Sequence, residues 1–119
     1  MRRIVIVCLA ALVFGSTHAE TTVTEYKRIK AAGGNDWKAM IVYVVGVAAG
    51  IQWSNVHLAI NHRPLMYCLP EELHTNAQLD IKILESEIQR NKNNPNVTDD
   101  TDKIEPSLLY GFIHTYPCK

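Results

Sequence analysis

The sequence predicts an all-α fold, a small single-domain bundle of about four helices closed by one disulfide. Three observations support this prediction. Apolar residues recur at helical spacing in several segments, no repeat or linker divides the chain, and two cysteines remain once an apolar N-terminal segment is set aside.

Residues 1–19 have the layout of a secretory signal peptide, with two arginines, an unbroken apolar run over residues 4–14 and small residues before Glu20. The run is about half the length needed to span a bilayer, so a retained anchor is the weaker interpretation. Cys8 lies inside the run and would be removed with it. We therefore expect an exported, periplasmic domain that comprises residues 20–119.

Charge and size restrict the function classes. The whole chain has 12 basic and 12 acidic side chains, and loss of the first two arginines leaves 10 against 12. This balance gives no electrostatic reason to expect nucleic acid or an anionic membrane surface as a partner. A chain of this size is long enough to bury one hydrophobic core.

The first helix is expected over residues 22–32. Thr22 is its predicted N-cap, because a glutamate follows three residues later as in a capping box. Gly33 and Gly34 come directly after it and are a strong stop signal. This boundary separates the first helix from a longer apolar segment.

The second helix is predicted over residues 37–58, capped by Asn35 or Asp36. Its stretch from residue 39 to 51 carries no charge, which favours a helix buried in the core over a strand. The stretch is too short for a transmembrane helix, so no stable membrane insertion is expected after signal cleavage.

Gly46 and Gly50 share one face of this second helix, because they are four residues apart. The spacing matches a dimer motif of membrane helices, but only within an apolar segment of about 20 residues. We expect instead that the two glycines allow a neighbouring helix to pack closely inside the core.

Two further helices follow a proline-containing segment. A capping box at Thr75 opens the third, expected over residues 75–90. The fourth begins at Glu105 or Pro106 and ends at Tyr116. The predicted core stripe of the third helix comprises Ala77, Ile81, Leu84 and Ile88.

Cys68 and Cys118 are the only cysteines after residue 19. An even number of cysteines in an exported chain predicts a disulfide between them. Closing a loop of about 50 residues would remove roughly 4 kcal/mol of unfolded-state freedom. A cysteine held in a disulfide cannot serve as a catalytic thiolate.

No pattern in the sequence indicates an enzyme, a metal site or a cofactor. The histidines after residue 19 lack the i, i+4 spacing of a helical metal pair, and no cysteine is left over for zinc. The acidic residues between 99 and 105 lack the glycine and the ligand order of a calcium loop. Gly33-Gly34 lacks the lysine of a phosphate-binding loop.

Three short motifs follow one another along the chain: Tyr43-Val-Val-Gly46-Val-Ala-Ala-Gly50, then Cys68-Leu69-Pro70-Glu71, and finally Tyr116-Pro117-Cys118. Together they resemble the Rap/Tai family of periplasmic immunity proteins for type VI secretion amidases. The resemblance covers residues 37–118. It implies a small helical protein, often a homodimer, that binds a cognate peptidoglycan amidase effector and blocks its active-site cleft.

Such an inhibitor needs no chemistry of its own, only a protruding surface that fits the cleft. The polar loop over residues 91–102 is the natural candidate, and an ordinary solvated connection is the alternative. The candidate effector-binding residues are Asn93, Asn94, Asn96, Asp99 and Asp100. Two other functions stay open, a periplasmic stress-related helical chaperone and a structural envelope protein.

Overall fold

Four helices account for most of residues 20–119, which are the residues that the computed structural model describes. They are α1 (Val23–Ala32), α2 (Gly34–Ile60), α3 (Ala77–Asn91) and α4 (Ile104–Thr115). No strand occurs in this part of the chain, only an isolated bridge between Thr22 and Lys103. The predicted fold class is confirmed. The predicted signal peptide, with Cys8, lies outside the described residues.

The N-terminus of α1 is capped as predicted, since the Thr22 hydroxyl accepts a hydrogen bond from the Glu25 backbone N–H at 3.1 Å. Gly33 and Gly34 have φ angles of +69° and +67°, which favour glycine. α2 begins at once at Gly34, three residues before the predicted start at residue 37. The edge-to-face contact of Tyr26 with Trp37 then packs α1 against α2.

Only one side of α2 reaches the core. Met40, Val44 and Ala48 are buried there. The prediction of a helix rather than a strand is confirmed, but the helix is buried on this side alone, because apolar side chains on the other side are exposed to solvent. α2 has 27 residues and is long and apolar enough, by length and composition, to cross a membrane. The sequence-based prediction considered only residues 39–51 and therefore underestimated the length of the apolar helix.

Gly46 and Gly50 lie on the solvent side of α2. A Cβ placed on either residue would meet nothing within 4 Å. The prediction that they serve packing within the core of this chain is wrong. The reason is that the core side of α2 is the opposite one, where Val44 and Ala48 contact the other helices.

α3 begins two residues later than predicted, with Asn76 as its N-cap. The Asn76 side chain accepts from the Leu79 N–H at 3.0 Å, whereas the Thr75 hydroxyl accepts from the Gln52 side chain at 2.7 Å. The predicted stripe is only partly right. Its member Leu84 is fully buried, and the other buried positions are Asp80, Ile83 and Glu87.

α3 and α4 approach each other closely at Gly111. A Cβ on Gly111 would lie 2.8 Å from Ile83 Cγ2 and 3.0 Å from the Ile83 carbonyl oxygen. Glycine is therefore required here for close approach. On the same helix, the Phe112 ring stacks on Tyr67 with centroids 5.0 Å apart, which packs the segment before α3 onto α4.

The disulfide between Cys68 and Cys118 is present, with the two Cα atoms 4.9 Å apart. The Cys68 backbone N–H also donates to the Tyr116 carbonyl at 2.8 Å. The bond therefore ties the segment between α2 and α3 to the end of α4. The disulfide and the apolar sequence at the N-terminus are both compatible with export.

Candidate partner-binding surfaces

The loop between α3 and α4 is anchored to α1 at its C-terminal end. The Val23 N–H donates to the Asp102 carbonyl and the Thr24 N–H donates to the Asp99 carbonyl, both at 3.0 Å. The Ile104 N–H donates to the Thr21 carbonyl, also at 3.0 Å. The first turn of α1 thus satisfies its free N–H groups with loop carbonyls, and the loop is fixed in return.

Asp99 and Asp100, two of the five predicted binding residues, contact α1. The Asp99 carboxylate forms an ion pair with Lys27. The Asp100 carboxylate accepts from the Thr24 hydroxyl at 2.7 Å. Both acids therefore hold the loop against α1, and they are assigned a positioning role.

The other three predicted residues, Asn93, Asn94 and Asn96, lie together at the exposed end of the loop. We name residues 92–96 the loop tip, and all five of its residues are exposed. The Asn94 side-chain oxygen accepts from the Asn96 N–H at 3.0 Å, while the Asn94 N–H donates to the Asn91 carbonyl at 2.9 Å. The tip is therefore a sequence of hydrogen-bonded turns.

A buried carboxylate at the end of α3 anchors the other side of the loop. Glu87 is 2% exposed and accepts from His114 Nδ1 at 2.9 Å and from Arg90 Nε at 3.1 Å. Asn91 approaches the second carboxylate oxygen at 3.5 Å. The contact with α4 fixes the last turn of α3, directly before the loop tip. Sequence reasoning missed Glu87, because acidic residues are rarely buried unless they are paired.

A second buried carboxylate, Asp80, lies near Tyr67 in the core. Asp80 is 3% exposed, and neither its Oδ1 atom nor the Tyr67 hydroxyl has a hydrogen-bond partner in the described chain. Burial raises the pKa of Asp80 to about 6. Burial, and then the nearby Asp80 charge, raise the pKa of Tyr67 to about 12.

The solvent side of α2 forms the second candidate surface. Seven residues, spaced alternately by three and four positions, are all apolar or glycine and all exposed. We name this set the outer face of α2; it comprises Ala39, Val42, Gly46, Ala49, Trp53, Val56 and Ile60. Trp53 is 72% exposed and Ile60 is 70% exposed. Large exposed apolar surfaces often mark interaction sites.

The sequence contained the signal for this surface. The spacing 3-4-3-4-3-4 is the a/d pattern of a helix-pairing face. However, the opposite side of α2 is also apolar, and periodicity alone does not tell which of two apolar sides enters the core.

Among residues 20–119, no group of three or more His, Cys, Asp or Glu side chains is placed to hold a metal ion. The Cys68 and Cys118 sulfurs are bonded to each other. No protein-family model, curated protein or solved structure matches the chain.

Proposed function

We propose that this chain is an exported immunity protein that binds a type VI secretion peptidoglycan amidase and inserts the loop tip into its active-site cleft. The observation that carries the proposal is the anchored, exposed loop between α3 and α4. The resemblance of the motifs around Cys68 and Cys118 supports it as a second, independent argument.

The loop is held from both sides, which favours tight binding. Backbone hydrogen bonds from α1 fix its end at Asp99 and Asp102, and the Glu87 contact with His114 fixes the helix before it. A binding loop that is already ordered loses less conformational entropy when it binds. The tip between the two anchors is exposed and available to a partner.

The chemistry of the loop tip also suits an amidase cleft. Asn93, Asn94 and Asn96 each carry a primary amide, which has the same donor and acceptor groups as the peptide bond that an amidase cleaves. An enzyme cleft that recognises an amide in its substrate can therefore form hydrogen bonds with these side chains. Since no acidic residue lies in the tip, insertion would bury no carboxylate.

Protection of cells tests the proposal. The triple variant Asn93→Ala, Asn94→Ala, Asn96→Ala should lose protection against a periplasmically expressed amidase of the same genome that the unchanged protein neutralises, because it removes the tip amides. The matched control replaces three exposed polar residues of α3, as Gln78→Ala, Ser86→Ala and Gln89→Ala.

The control variant should protect as well as the unchanged protein, and both variants should keep the thermal unfolding midpoint within a few degrees. Full protection by the loop-tip variant, at equal periplasmic abundance, would contradict the assignment of the inhibitory loop. Failure of the unchanged protein to protect against any amidase of the same genome would contradict the proposed function.

A periplasmic helical chaperone remains the second candidate, and the outer face of α2 is the observation that favours it. Exposed apolar side chains such as Trp53 and Ile60 can bind unfolded clients. A chaperone should suppress the aggregation of an acid-unfolded client protein without binding an amidase. An immunity protein should show the reverse behaviour. A structural envelope protein, the third candidate, should do neither.

A further inference from the structure

The outer face of α2 is an apolar strip that follows almost the whole helix. Its first and last members, Ala39 and Ile60, are separated by 21 residues, or about 32 Å along the helix axis. Val42 and Trp53 are each 72% exposed, and Ile60 is 70% exposed. Large apolar side chains therefore reach solvent in both halves of the strip.

The apolar surface extends beyond the strip near the C-terminal end of α2. A groove of about 540 Å³ beside Trp53 is lined also by Leu58 and Met66, together with Ser54 and His57. Leu58 and Met66 are half-buried, so they add apolar area to that of the strip. An indole ring with its single N–H donor is well suited to the boundary between water and hydrocarbon, where tryptophan is enriched in membrane proteins.

The sequence around the strip contains no acidic residue. From Trp37 to Pro70 there is no Asp or Glu, whereas the exposed side chains of Lys38 and Arg63 flank the strip at its two ends. All 12 acidic side chains of residues 20–119 lie outside this stretch. The nearly balanced charge of the domain as a whole therefore conceals a locally positive segment, which is complementary to anionic lipid head groups.

The charge at the N-terminal end of the strip is positive because of the direction in which two side chains lie. Lys38 precedes Val42 by four residues and therefore shares its face of the helix. Asp36, the nearest acidic residue in sequence, lines a cavity with Thr21 and Ile29 on the side of α1. A membrane that contacts the strip would meet the lysine at this end.

The opposite side of α2 holds the helix in the bundle. The Gln52 side chain donates to the Thr75 hydroxyl at 2.7 Å. The Asn55 side chain accepts from the Met66 N–H at 2.9 Å and donates to the Tyr67 carbonyl at 2.8 Å. A helix that spans a bilayer would have to leave these partners. A membrane can therefore contact α2 only from the side, with the helix parallel to the membrane surface.

A fluid bilayer fits the uneven profile of the strip better than a folded protein does. Bulky Val42, Trp53 and Ile60 alternate along it with the small residues Gly46 and Ala49. The strip is about 32 Å long and about 10 Å wide, so it is smaller than the roughly 800 Å² that each partner buries in a standard protein interface. Lipids rearrange around an irregular surface, and an apolar helix face buried about 5–10 Å deep is enough for binding.

We propose that α2 docks flat on the surface of a bilayer that contains anionic lipid. The outer face of α2 lies among the head groups and the upper acyl chains, and Lys38 and Arg63 reach lipid phosphates at its two ends. Burial of apolar area drives the docking, and anionic lipid strengthens it. The protein is thereby held at a membrane surface while its fold stays intact. This inference stands without the proposed function, because the loop tip takes no part in it.

Flotation of the exported, purified protein with vesicles tests the proposal. The protein should float with vesicles of phosphatidylethanolamine and phosphatidylglycerol. Its binding to vesicles of phosphatidylcholine alone should be at least about fivefold weaker, because these carry no net charge. Alkaline carbonate should release the bound protein, as it releases proteins that do not span the bilayer.

Substitutions along the strip test which surface binds. Trp53→Ser should weaken binding at least about tenfold, because a large apolar side chain no longer leaves water. Val42→Ser, about 17 Å away along the helix, should weaken it at least about threefold. Tyr110→Ser is the matched control, since Tyr110 is an exposed aromatic residue of α4, and it should bind as the unchanged protein does. Lys38→Ser should weaken binding about fivefold, and Lys82→Ser, exposed on α3, should have little effect.

Lipids that carry bromine on their acyl chains test the depth of docking. Bromine near the head group should quench the fluorescence of Trp53 more strongly than bromine near the end of the chain. The Trp53→Ser variant retains Trp37, which packs on Tyr26 between α1 and α2 and should be quenched little.

Three results would overturn the proposal. Absence of flotation with both vesicle compositions would exclude docking on lipid. A dimer in solution that is lost in Trp53→Ser, without flotation, would assign the face to a second copy. Resistance of the bound protein to alkaline carbonate would show that α2 crosses the bilayer.

Discussion

The buried carboxyl of Asp80 leads to a prediction about stability against pH. Its pKa is raised by burial from an ordinary value of 3.8 to about 6 in the folded chain. The folded state therefore binds more protons than the unfolded state between these two values. The free energy of unfolding consequently falls as the pH rises through this range, and the stability present at low pH is lost above about pH 6.

The size of this stability change follows from the pKa shift of Asp80. A pKa difference of about 2 between the folded and unfolded states corresponds to roughly 3 kcal/mol in the free energy of unfolding. Asp80 also lies in the first turn of α3, where the helix N-terminus favours a negative charge. In the Asp80→Asn variant this position carries no carboxyl group, so no charge forms there as the pH rises. Relative to the unchanged protein, it should therefore gain about 2–3 kcal/mol of stability between pH 4 and pH 7.5.

Urea unfolding at several pH values, followed by circular dichroism, measures this difference. Glu72→Gln is the matched control, since Glu72 is exposed, and it should keep the pH profile of the unchanged protein. The comparison between variants cancels the titration of the other acids. Parallel profiles of Asp80→Asn and the unchanged protein would refute the argument that burial of Asp80 destabilises the charged form.

Three further predictions concern the stability of the fold. Gly111→Ala should lower stability by about 1–3 kcal/mol in thermal unfolding, because its Cβ would meet a side chain and a carbonyl of α3. A Cβ at Gly50 would meet nothing within 4 Å, so Gly50→Ala should leave the protein as stable or up to about 1 kcal/mol more stable. Equal effects of Gly111→Ala and Gly50→Ala would contradict the argument that α3 packs closely on Gly111. Replacing both Cys68 and Cys118 by alanine opens a loop of 50 residues and should cost roughly 4 kcal/mol in urea unfolding, whereas an unchanged midpoint would show that the disulfide does not restrict the unfolded chain. Glu87→Ala should cost about 1–2 kcal/mol and increase amide hydrogen exchange at the end of α3, because Arg90 and His114 lose their charged acceptor; unchanged exchange there would contradict its anchoring role.

Local sequence signals predicted the four helices. The Thr22 cap and the two glycines after residue 32 mark the ends of α1, and the cysteine pair gives the closure of the bundle. These features depend on neighbouring residues or on redox compartment alone. They are readable from the sequence for that reason.

The orientation of α2 was not readable in this way. Both sides of the helix are apolar, and Gly46 was assigned to the core although it lies in solvent. Contacts between residues that are distant in sequence fix the orientation of α2, such as the hydrogen bonds of Asn55 to the segment before α3. Burial of Asp80 and Glu87 on α3 likewise depends on tertiary surroundings.

The segment between α3 and α4 is a polar connection, as the sequence predicts, but its five candidate residues do not share one environment. Asp99 and Asp100 contact α1, through partners more than 70 residues away in sequence. Asn93, Asn94 and Asn96 stay exposed. All five residues were predicted from their polarity. Only the three-dimensional structure separates Asp99 and Asp100, which contact α1, from the three asparagines that are exposed to a partner.

Titration of purified periplasmic peptidoglycan amidases from the same genome with this protein tests the central claim most directly. Peptidoglycan cleavage by the cognate amidase among them should fall in proportion to added protein and stop near one copy of this chain per amidase. The loop-tip variant should leave cleavage unchanged. Full cleavage by all of them in the presence of a large excess of the unchanged protein, with no complex on size exclusion, would contradict the account.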